Sequence, residues 1–544
     1  MFDLVDKVAL VTGAANGIGA AIVRKFLKEG AKFVSILDIE EKSGNNLEKE
    51  LAIQHGKDKV KFFKCDVTKD DDLFAAFKKT TDKYGSLDVV VNNAGIANDD
   101  MYMYKKEIEI NFTALVTSTL KALELMREDK GGKGGTIINV SSVSALALLS
   151  PTAFIYGATK AAVLHFTSSI GKEAYYSKTK VRTITTCLGA TDTNLISEVR
   201  SFDEELTRKM KTIVKYEPLQ TAEEAAKGVV EAYKRGGSGS TWLIWCKVQD
   251  ITDRVNKGYE IMAGDIFDRP RINLVMYSLK NLVAIVTGGA NGIGASVVRE
   301  FVKEGVKFVA IIDVKDDAGA ALENELRTKH GEGIVSFFKC DVTKAEQLYD
   351  VYNKVIEDHG CIDIVVNNAG IADESSDKYR LQIEVNFTAI VASSFKALEL
   401  MRVDRGGKGG TIINVSSIVA LSHEIGLLPV YAGTKSAILQ FSCRLGMEEL
   451  YSRTNVRVLT MCFGETDTNI LRTCKSFEDR TTEIIKEYFS TSIAQSSEAA
   501  AQGVVHSYKT GKSGSAWLID KNSALDITDK IKKANEIMSA DITV

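Results

Sequence analysis

The chain states one long message twice. Val8-Ala9-Leu10-Val11-Thr12-Gly13-Ala14-Ala15-Asn16-Gly17-Ile18-Gly19 returns 275 residues later as Val283-Ala284-Ile285-Val286-Thr287-Gly288-Gly289-Ala290-Asn291-Gly292-Ile293-Gly294. The same offset carries Asp38 onto Asp313, Asp66 onto Asp341, Asn93 onto Asn368, Asn111 onto Asn386, Ser142 onto Ser417, Tyr156 onto Tyr431 and Lys160 onto Lys435. A period this long is far beyond a solenoid unit, so each copy is a whole domain. Length agrees, because single cores stop growing near roughly 250–300 residues and the chain has 544. The expected organisation is one domain over 1–268, a short linker over 269–275 containing Pro270, and a second domain over 276–544.

Apolar residues at 45% and charged residues at 26% describe an ordinary soluble globular protein. A formal net charge of −3 gives no pull toward nucleic acid or a membrane surface. The eight cysteines lack zinc-ligand spacing and form no dense framework. Two pairs of them, Cys65/Cys340 and Cys187/Cys462, are repeat equivalents, and they read as buried thiols in a reducing compartment. The start of the chain has no cationic and apolar leader pattern, and no apolar run approaches the roughly 18–20 residues of a bilayer span. The cytoplasm is the expected location.

Within a copy, strand-length apolar runs (Val8–Val11, Phe33–Leu37, Val60–Phe63, Val89–Val91, Thr136–Val140, Val181–Cys187, Thr241–Trp245) alternate with stretches of helical period. The latter are Ala20–Lys28, Lys42–Gln54, Asp71–Tyr84, Lys106–Met126, Ile155–Tyr176 and Ala222–Lys234, the last with a capping box from Thr221 and Glu224. Continuously apolar strands alternating with helices predict a parallel sheet covered on both faces. Right-handed crossovers then give two tandem Rossmann-like, doubly wound α/β domains.

Thr12-Gly13-x-x-x-Gly17-x-Gly19 follows a strand and opens a helix. Glycines let the backbone approach a pyrophosphate, and the helix start offers unpaired N–H groups and positive dipole. Asp38 closes the second strand about 20 residues on, where a carboxylate accepts from a ribose 2′-hydroxyl and repels a 2′-phosphate. With no Arg or Lys in the turn, NAD is favoured over NADP. Asp66 and Asp341 end the third strand, where each reads equally as a partner for the adenine amino group and as an Asx-type turn.

Tyr156-Gly-Ala-Thr-Lys160 and Tyr431-Ala-Gly-Thr-Lys435 put a phenol and an amine one helical turn apart. That spacing alone decides nothing, since Tyr102…Lys106 and Tyr176…Lys180 share it without being preserved in the second copy. Tyr156 and Lys160 differ in opening an apolar helix 14 residues after Ser142, itself at a strand's end. In a doubly wound sheet the carboxyl ends of strands are where ligands sit.

Taken with Asn92-Asn93-Ala94-Gly95 (Asn367-Asn368-Ala369-Gly370), these motifs stand in the order of the short-chain dehydrogenase/reductases, and both copies resemble that family along nearly their full length. Asn111-Phe112-Thr113, Gly189-Ala190-Thr191-Asp192-Thr193 and the early Asp38 look most like its insect alcohol dehydrogenase and 15-hydroxyprostaglandin dehydrogenase members. The resemblance implies a dinucleotide held by Gly13, Asn16, Gly17, Ile18, Gly19, Asp38, Asp66, Val67, Asn93, Ala94, Gly95, Gly189 and Thr193. The second set is Gly288, Asn291, Gly292, Ile293, Gly294, Asp313, Asp341, Val342, Asn368, Ala369, Gly370, Gly464 and Thr468. It implies Tyr156 and Tyr431 as general bases, their pKa lowered by the ammonium of Lys160 or Lys435 together with the cationic oxidised nicotinamide, the lysines also holding the nicotinamide ribose. Ser142 and Ser417 would bind the substrate oxygen, and Asn111 and Asn386 a proton-relaying water. Family members pair through the helices near Asn111 and Tyr156, so the halves are expected to form an intrachain pseudo-dimer, which two chains could double to a pseudo-tetramer.

Leu188-Gly189 and Phe463-Gly464 depart from the family's Pro-Gly, which predicts a looser turn beside the nicotinamide. The span from serine to tyrosine is about one residue longer than is common. The substrate cleft is expected between Leu146–Phe154 and Asn194–Gln220 in the first copy, and Leu421–Pro429 and Asn469–Gln495 in the second. The first lining is the more apolar, and His423 and Glu424 distinguish the second, His423 reading as a surface-loop residue. Apolar walls suit a lipid-like or terpenoid alcohol or ketone. Three readings follow: an NAD-dependent alcohol dehydrogenase with two sites, a bifunctional enzyme with different substrates, and a binding, pigment or storage protein that keeps the fold without catalysis.

Overall fold

The structure, a computed structural model, describes residues 2–147, 153–216, 218–264, 276–423, 426–540 and 542. The expected linker at 269–275, and residues 148–152 and 424–425 of the substrate segments, lie outside them. The chain forms two compact units, Met1–Gly258 with Asn535–Val544, and Tyr259–Ala534.

In the first unit β1 (Val8–Thr12), α1 (Gly17–Lys28), β2 (Phe33–Asp38), α2 (Glu41–His55), β3 (Val60–Lys64), α3 (Asp70–Tyr84) and β4 (Val89–Asn92) alternate strictly. After them come β5 (Asn98–Asp99), α4 (Tyr104–Ile108), a π turn over Glu109–Thr113, α5 (Ala114–Met126), β6 (Gly135–Ser142), α6 (Phe154–Ile170) and α7 (Glu173–Thr179). The rest is β7 (Val181–Leu188), α8 (Asn194–Ser197), β8 (Arg200–Ser201), α9 (Glu204–Tyr216), α10 (Ala222–Arg235), β9 (Ser240–Trp245) and β10 (Lys247–Asp250), and the next helix, α11 (Thr252–Ala263), runs across the boundary at Gly258.

The main sheet runs β3-β2-β1-β4-β6-β7-β9-β10. Its strands pair in parallel except β10, which returns antiparallel on β9. The expected doubly wound parallel sheet is present, and β10 adds one antiparallel strand at its edge. Its cause is local: Cys246 takes a left-handed φ of 54°, so the chain turns back on itself where no helical crossover fits. The second unit repeats the order, and its return strand Ser523–Asp526 follows a turn with Lys521 and Asn522 both at positive φ.

The strand runs are buried on both faces, β1 and β7 without exception, and α1 and α10 pack against them in one core of aliphatic side chains. Thr221 and Glu224 form the expected capping box. The stretch Ile155–Tyr176 is two helices, not one. An added Cβ at Gly171 would lie 2.4 Å from the Gly239 Cα, so backbone presses on backbone there and α6 stops. Similarly, Lys106–Met126 is interrupted by the π turn, which contains Asn111.

Candidate active site

The strand order reverses between β2 and β4, on either side of β1, and a crevice opens beyond the carboxyl ends of the strands there. In the first unit it is a cleft of about 770 Å³, and Gly13, Asn16, Gly17, Asp38, Asn93 and Gly95 form one end of it. Ser142, Tyr156, Lys160, Gly189 and Thr193 form the other.

At the first end the glycines are fixed by sterics. Gly13 has φ +62°, and a Cβ there would sit 2.7 Å from the Ala94 Cα; Gly17 has φ +52°. A Cβ on Gly19 would fall 2.1 Å from the Gly13 carbonyl. Asn93 locks this turn: its Nδ2 donates to the carbonyls of Thr12 at 3.1 Å and Gly13 at 2.9 Å. The amides of Asn93 and Ala94 in turn donate to Thr12 Oγ1. The N-cap of α1, Asn16, makes no side-chain cap bond, so the first-turn amides face the cleft without a side-chain partner at their cap. That is a fit for a pyrophosphate. Asp38 accepts from the Ala15 amide at 2.9 Å and the Glu40 amide at 3.0 Å, which orients its carboxylate at the cleft edge.

Asp66 lines the cleft beside Val67, yet its Oδ1 accepts from the Thr68 amide and hydroxyl at 3.1 and 2.8 Å. Asp341 does the same with Thr343. The turn-forming reading is thus realised in both copies. Second-copy glycines match: Gly288 and Gly292 at φ +63° and +55°, and Gly294 with a Cβ position 2.1 Å from the Gly288 carbonyl. Asn368 holds Thr287 and Gly288 at 3.1 Å each, and Asp313 accepts from Ala290 at 3.1 Å.

At the second end Lys160 is buried, donates to the Val140 carbonyl at 3.0 Å, and stands 5.6 Å from the centre of the Tyr156 ring. Tyr156 hydrogen-bonds Ser142. Lys435 repeats this with the Val415 carbonyl at 3.1 Å and the Tyr431 ring at 5.5 Å, and Tyr431 with Ser417. Asn111 is fully buried: Oδ1 accepts from the Ile96 amide and Nδ2 donates to the Ile96 carbonyl, both at 2.8 Å, and Nδ2 also reaches the Thr159 hydroxyl at 3.3 Å. Asn386 holds Ile371 in the same way.

In the protein alone burial pushes the Tyr156 phenol up to about 12, against the hydrogen bond from Ser142, and Glu107 and Asp99 add to the rise. Tyr431 likewise stands at about 12. Burial also brings Lys160 and Lys435 down to about 8. At about 8 each amine still carries its proton near neutral pH, so a positive charge stands one turn from each phenol.

Three further expectations change. The turn after β7 is not loosened: Leu188 is buried and pairs with both Ser142 and Ile244, and the Gly189 amide donates to Ile244 at 3.0 Å. Phe463 extends its strand alike, with Gly464 bonded to Ile519 at 2.9 Å. His423 is 5% exposed and meets the Tyr259 ring edge-on at 4.5 Å, so it is no surface residue. Of the two discounted pairs, Tyr102 is 93% exposed, while Lys180 is the left-handed cap of α7, off the helix face. Lys106 does reach the cleft.

Beside the Ser142–Tyr156 end the cleft has an apolar lining, with Lys106 and Arg200 also reaching it. Ile96, Ile110, Val143, Leu195, Ile196 and Met210 line it in the first unit. In the second, Leu427, Leu428, Ile470 and Phe489 gather with Tyr431 around Ile485. Thr193 and Thr468 set their methyls 3.2 Å from where Gly17 and Gly292 would carry a Cβ.

Sequence reading passed over the polar groups beneath the site. Asn92 and Asn139 bond across β4 and β6 at 2.8 Å, and Asn139 continues to Thr167 on α6 at 3.0 Å. Asp99 and Glu107 are buried carboxyls at the start of α6. Recurrence was the available signal, since Asn367, Asn414, Glu374 and Gln382 occupy the same positions in the second copy. Among the described residues no cluster could hold a metal ion and no helix is long and apolar enough to cross a membrane.

A family model described as short chain dehydrogenase matches residues 7–204 and 282–479. The 15-hydroxyprostaglandin dehydrogenase [NAD(+)] of Rattus norvegicus is 32% identical over 229 residues, 41% of this chain and 85% of that protein. The Homo sapiens protein of the same name matches at the same identity and coverage. Among solved structures, the C-domain of bacterial malonyl-CoA reductase with NADP superposes with a TM-score of 0.66 over 93% of this chain and 96% of that one. At 13% identity that last likeness is one of fold.

Proposed function

Because the chain belongs, in both of its halves, to the short-chain dehydrogenase family of oxidoreductases, we propose that it interconverts an apolar secondary alcohol and its ketone with NAD, at one site per repeat. The observation that carries the reading is the duplicated constellation of Ser142, Tyr156 and Lys160, which lines the glycine-floored cleft of the first unit, with Ser417, Tyr431 and Lys435 in the same arrangement in the second.

The residues present fit a dinucleotide. Gly13 and Gly17 leave the floor bare, the start of α1 faces it, and Asp38 stands where a ribose hydroxyl would donate. Asp38 and Asp313 favour NAD over NADP, in keeping with the relatives whose name carries NAD(+). When bound, an oxidised nicotinamide supplies the hydride acceptor and a positive charge beside the phenol.

The chain's own residues do the rest. Ser142 fixes the substrate oxygen against the Tyr156 hydroxyl and donates to charge that grows on it. Tyr156 takes the hydroxyl proton as the substrate carbon is oxidised. Lys160, pinned to Val140, holds its ammonium where it stabilises phenolate and meets the ribose. The proton leaves toward the π turn at Asn111, which keeps the Ile96 loop in place. Apolar walls exclude water and select a hydrophobic body. Purified protein incubated with NAD and a panel of secondary alcohols should produce reduced nicotinamide. Absence of both turnover and dinucleotide binding would defeat the reading.

A further inference from the structure

The helix that carries Tyr156 and Lys160 begins on a carboxylate. Asp99, on β5, accepts from the Ile155 amide at 2.9 Å and the Tyr156 amide at 3.0 Å. It thereby satisfies two orphan donors of the first turn of α6. Behind it lies Glu107 of α4, with no measurable exposure. One Glu107 oxygen accepts from the Asn98 amide at 3.2 Å. The other has no donor among the described residues and lies within bonding reach of the Asp99 carboxyl.

Two carboxylates facing each other away from water cannot both be ionised. A bond between them needs a proton, and Asp99 already spends its oxygens on backbone amides. The second repeat supplies an internal comparison. There Glu374 takes the place of Asp99 and accepts from the Tyr431 amide at 2.6 Å. Facing it, in the place of Glu107, is Gln382, whose amide matches a protonated glutamic acid in shape and lacks its ability to ionise.

We infer that Glu107 is a proton-bearing positioning residue of the first site: as a neutral acid it donates to Asp99 and lets that carboxylate anchor the catalytic helix, and loss of its proton disables the first site alone. Burial, and then the charge of Asp99, hold the Glu107 pKa well above the ordinary carboxylate range, while Lys160 works the other way. Burial raises Asp99 too, but the Tyr156 and Ile155 amides and the bond from Glu107 all work against that rise, so of the two carboxyls Asp99 is the charged partner. The other ionisable groups that interact with Glu107 are Tyr156 and Lys160, both from α6; Tyr104, Lys105 and Lys106 are its sequence neighbours on α4 and Glu109 opens the π turn that follows. When Glu107 ionises, its charge repels Asp99 directly beneath Tyr156. In the second repeat Glu374, raised to about 8, meets only a neutral amide, so its anchor strengthens as the pH rises.

The pH readout rests on the dehydrogenase reading above; the proton itself does not. Infrared spectra of the full chain should show a buried carboxylic acid band at neutral pH that Glu107→Gln diminishes and that titrates away in the wild type at alkaline pH. With the second site silenced by Tyr431→Phe, Glu107→Gln should move the alkaline limb of kcat upward by about one pH unit. With the first site silenced by Tyr156→Phe, the same change should leave the limb in place. An acid band that Glu107→Gln does not diminish would overturn the proposal, and so would an alkaline limb that does not move in the Tyr431→Phe background. A protein that shows the band but turns over no alcohol would refute the dehydrogenase reading and leave the proton assignment standing.

Discussion

The Lys160 amine donates to the Val140 carbonyl at 3.0 Å, and this single bond fixes its distance from Tyr156. Burial has lowered its pKa from 10.5 to about 8. Between those values the unfolded chain holds a proton that the folded domain lacks, so the group's contribution to stability rises with pH across that window. Below about pH 8 the buried charge is a standing penalty. The unfolding free energy of the wild type relative to Lys160→Met should therefore climb between pH 8 and 10, by at most about 1.4 kcal/mol per pH unit, and stay level from pH 6 to 7.5. Denaturant titrations at each pH read this directly; a flat difference throughout would mean that the amine is not desolvated.

Asp38 makes a second prediction. Its carboxylate is aimed by the amides of Ala15 and Glu40, and Asp313 by those of Ala290 and Lys315. Asp38→Asn with Asp313→Asn keeps the shape and removes the charge. Affinity for NAD should fall by roughly tenfold to a hundredfold, the range for hydrogen bonds to charged groups. NADP should lose far less, or gain. Fluorescence titration with both dinucleotides checks this, and equal losses would show that neither carboxylate meets the 2′ position.

Gly19→Ala tests the floor of the cleft. Its Cβ would lie 2.1 Å from the Gly13 carbonyl and 2.8 Å from the Ala14 Cα, both backbone atoms that cannot swing aside. Helix α1 must back away, which costs about 1–3 kcal/mol for overpacking and spoils the amide cradle. Calorimetry should show a lowered melting transition and titration a loss of dinucleotide binding in the first repeat only. Unchanged binding would mean that the cradle tolerates a shift of α1.

Much of this was legible in the sequence because its causes are local. Apolar strand runs, glycines at left-handed turns and the Thr221–Glu224 capping box depend on neighbours a few residues away, and they stand where the pattern put them. Tyr156 and Lys160 were separable from Tyr102…Lys106 because the repeat preserved only the former. What stayed hidden depends on partners distant in sequence. Gly171 ends α6 because Gly239, far along the chain, touches it. Leu188 is held as strand by Ser142 and Ile244 and needs no proline. The rise of the Tyr156 pKa comes from burial, which no spacing reveals. Asp99 and Glu107 carry no mark of burial in their local sequence; the fold encloses them.

The central claim is that Tyr156 and Tyr431 are each the proton acceptor of a working site. Turnover of a secondary alcohol with NAD, measured for Tyr156→Phe, Tyr431→Phe and the double variant, tests it most directly. Each single variant should keep only the other site's activity, and the double variant should fall by about 10²–10⁴-fold while still binding the dinucleotide. A double variant that turns over at the wild-type rate would contradict the claim outright.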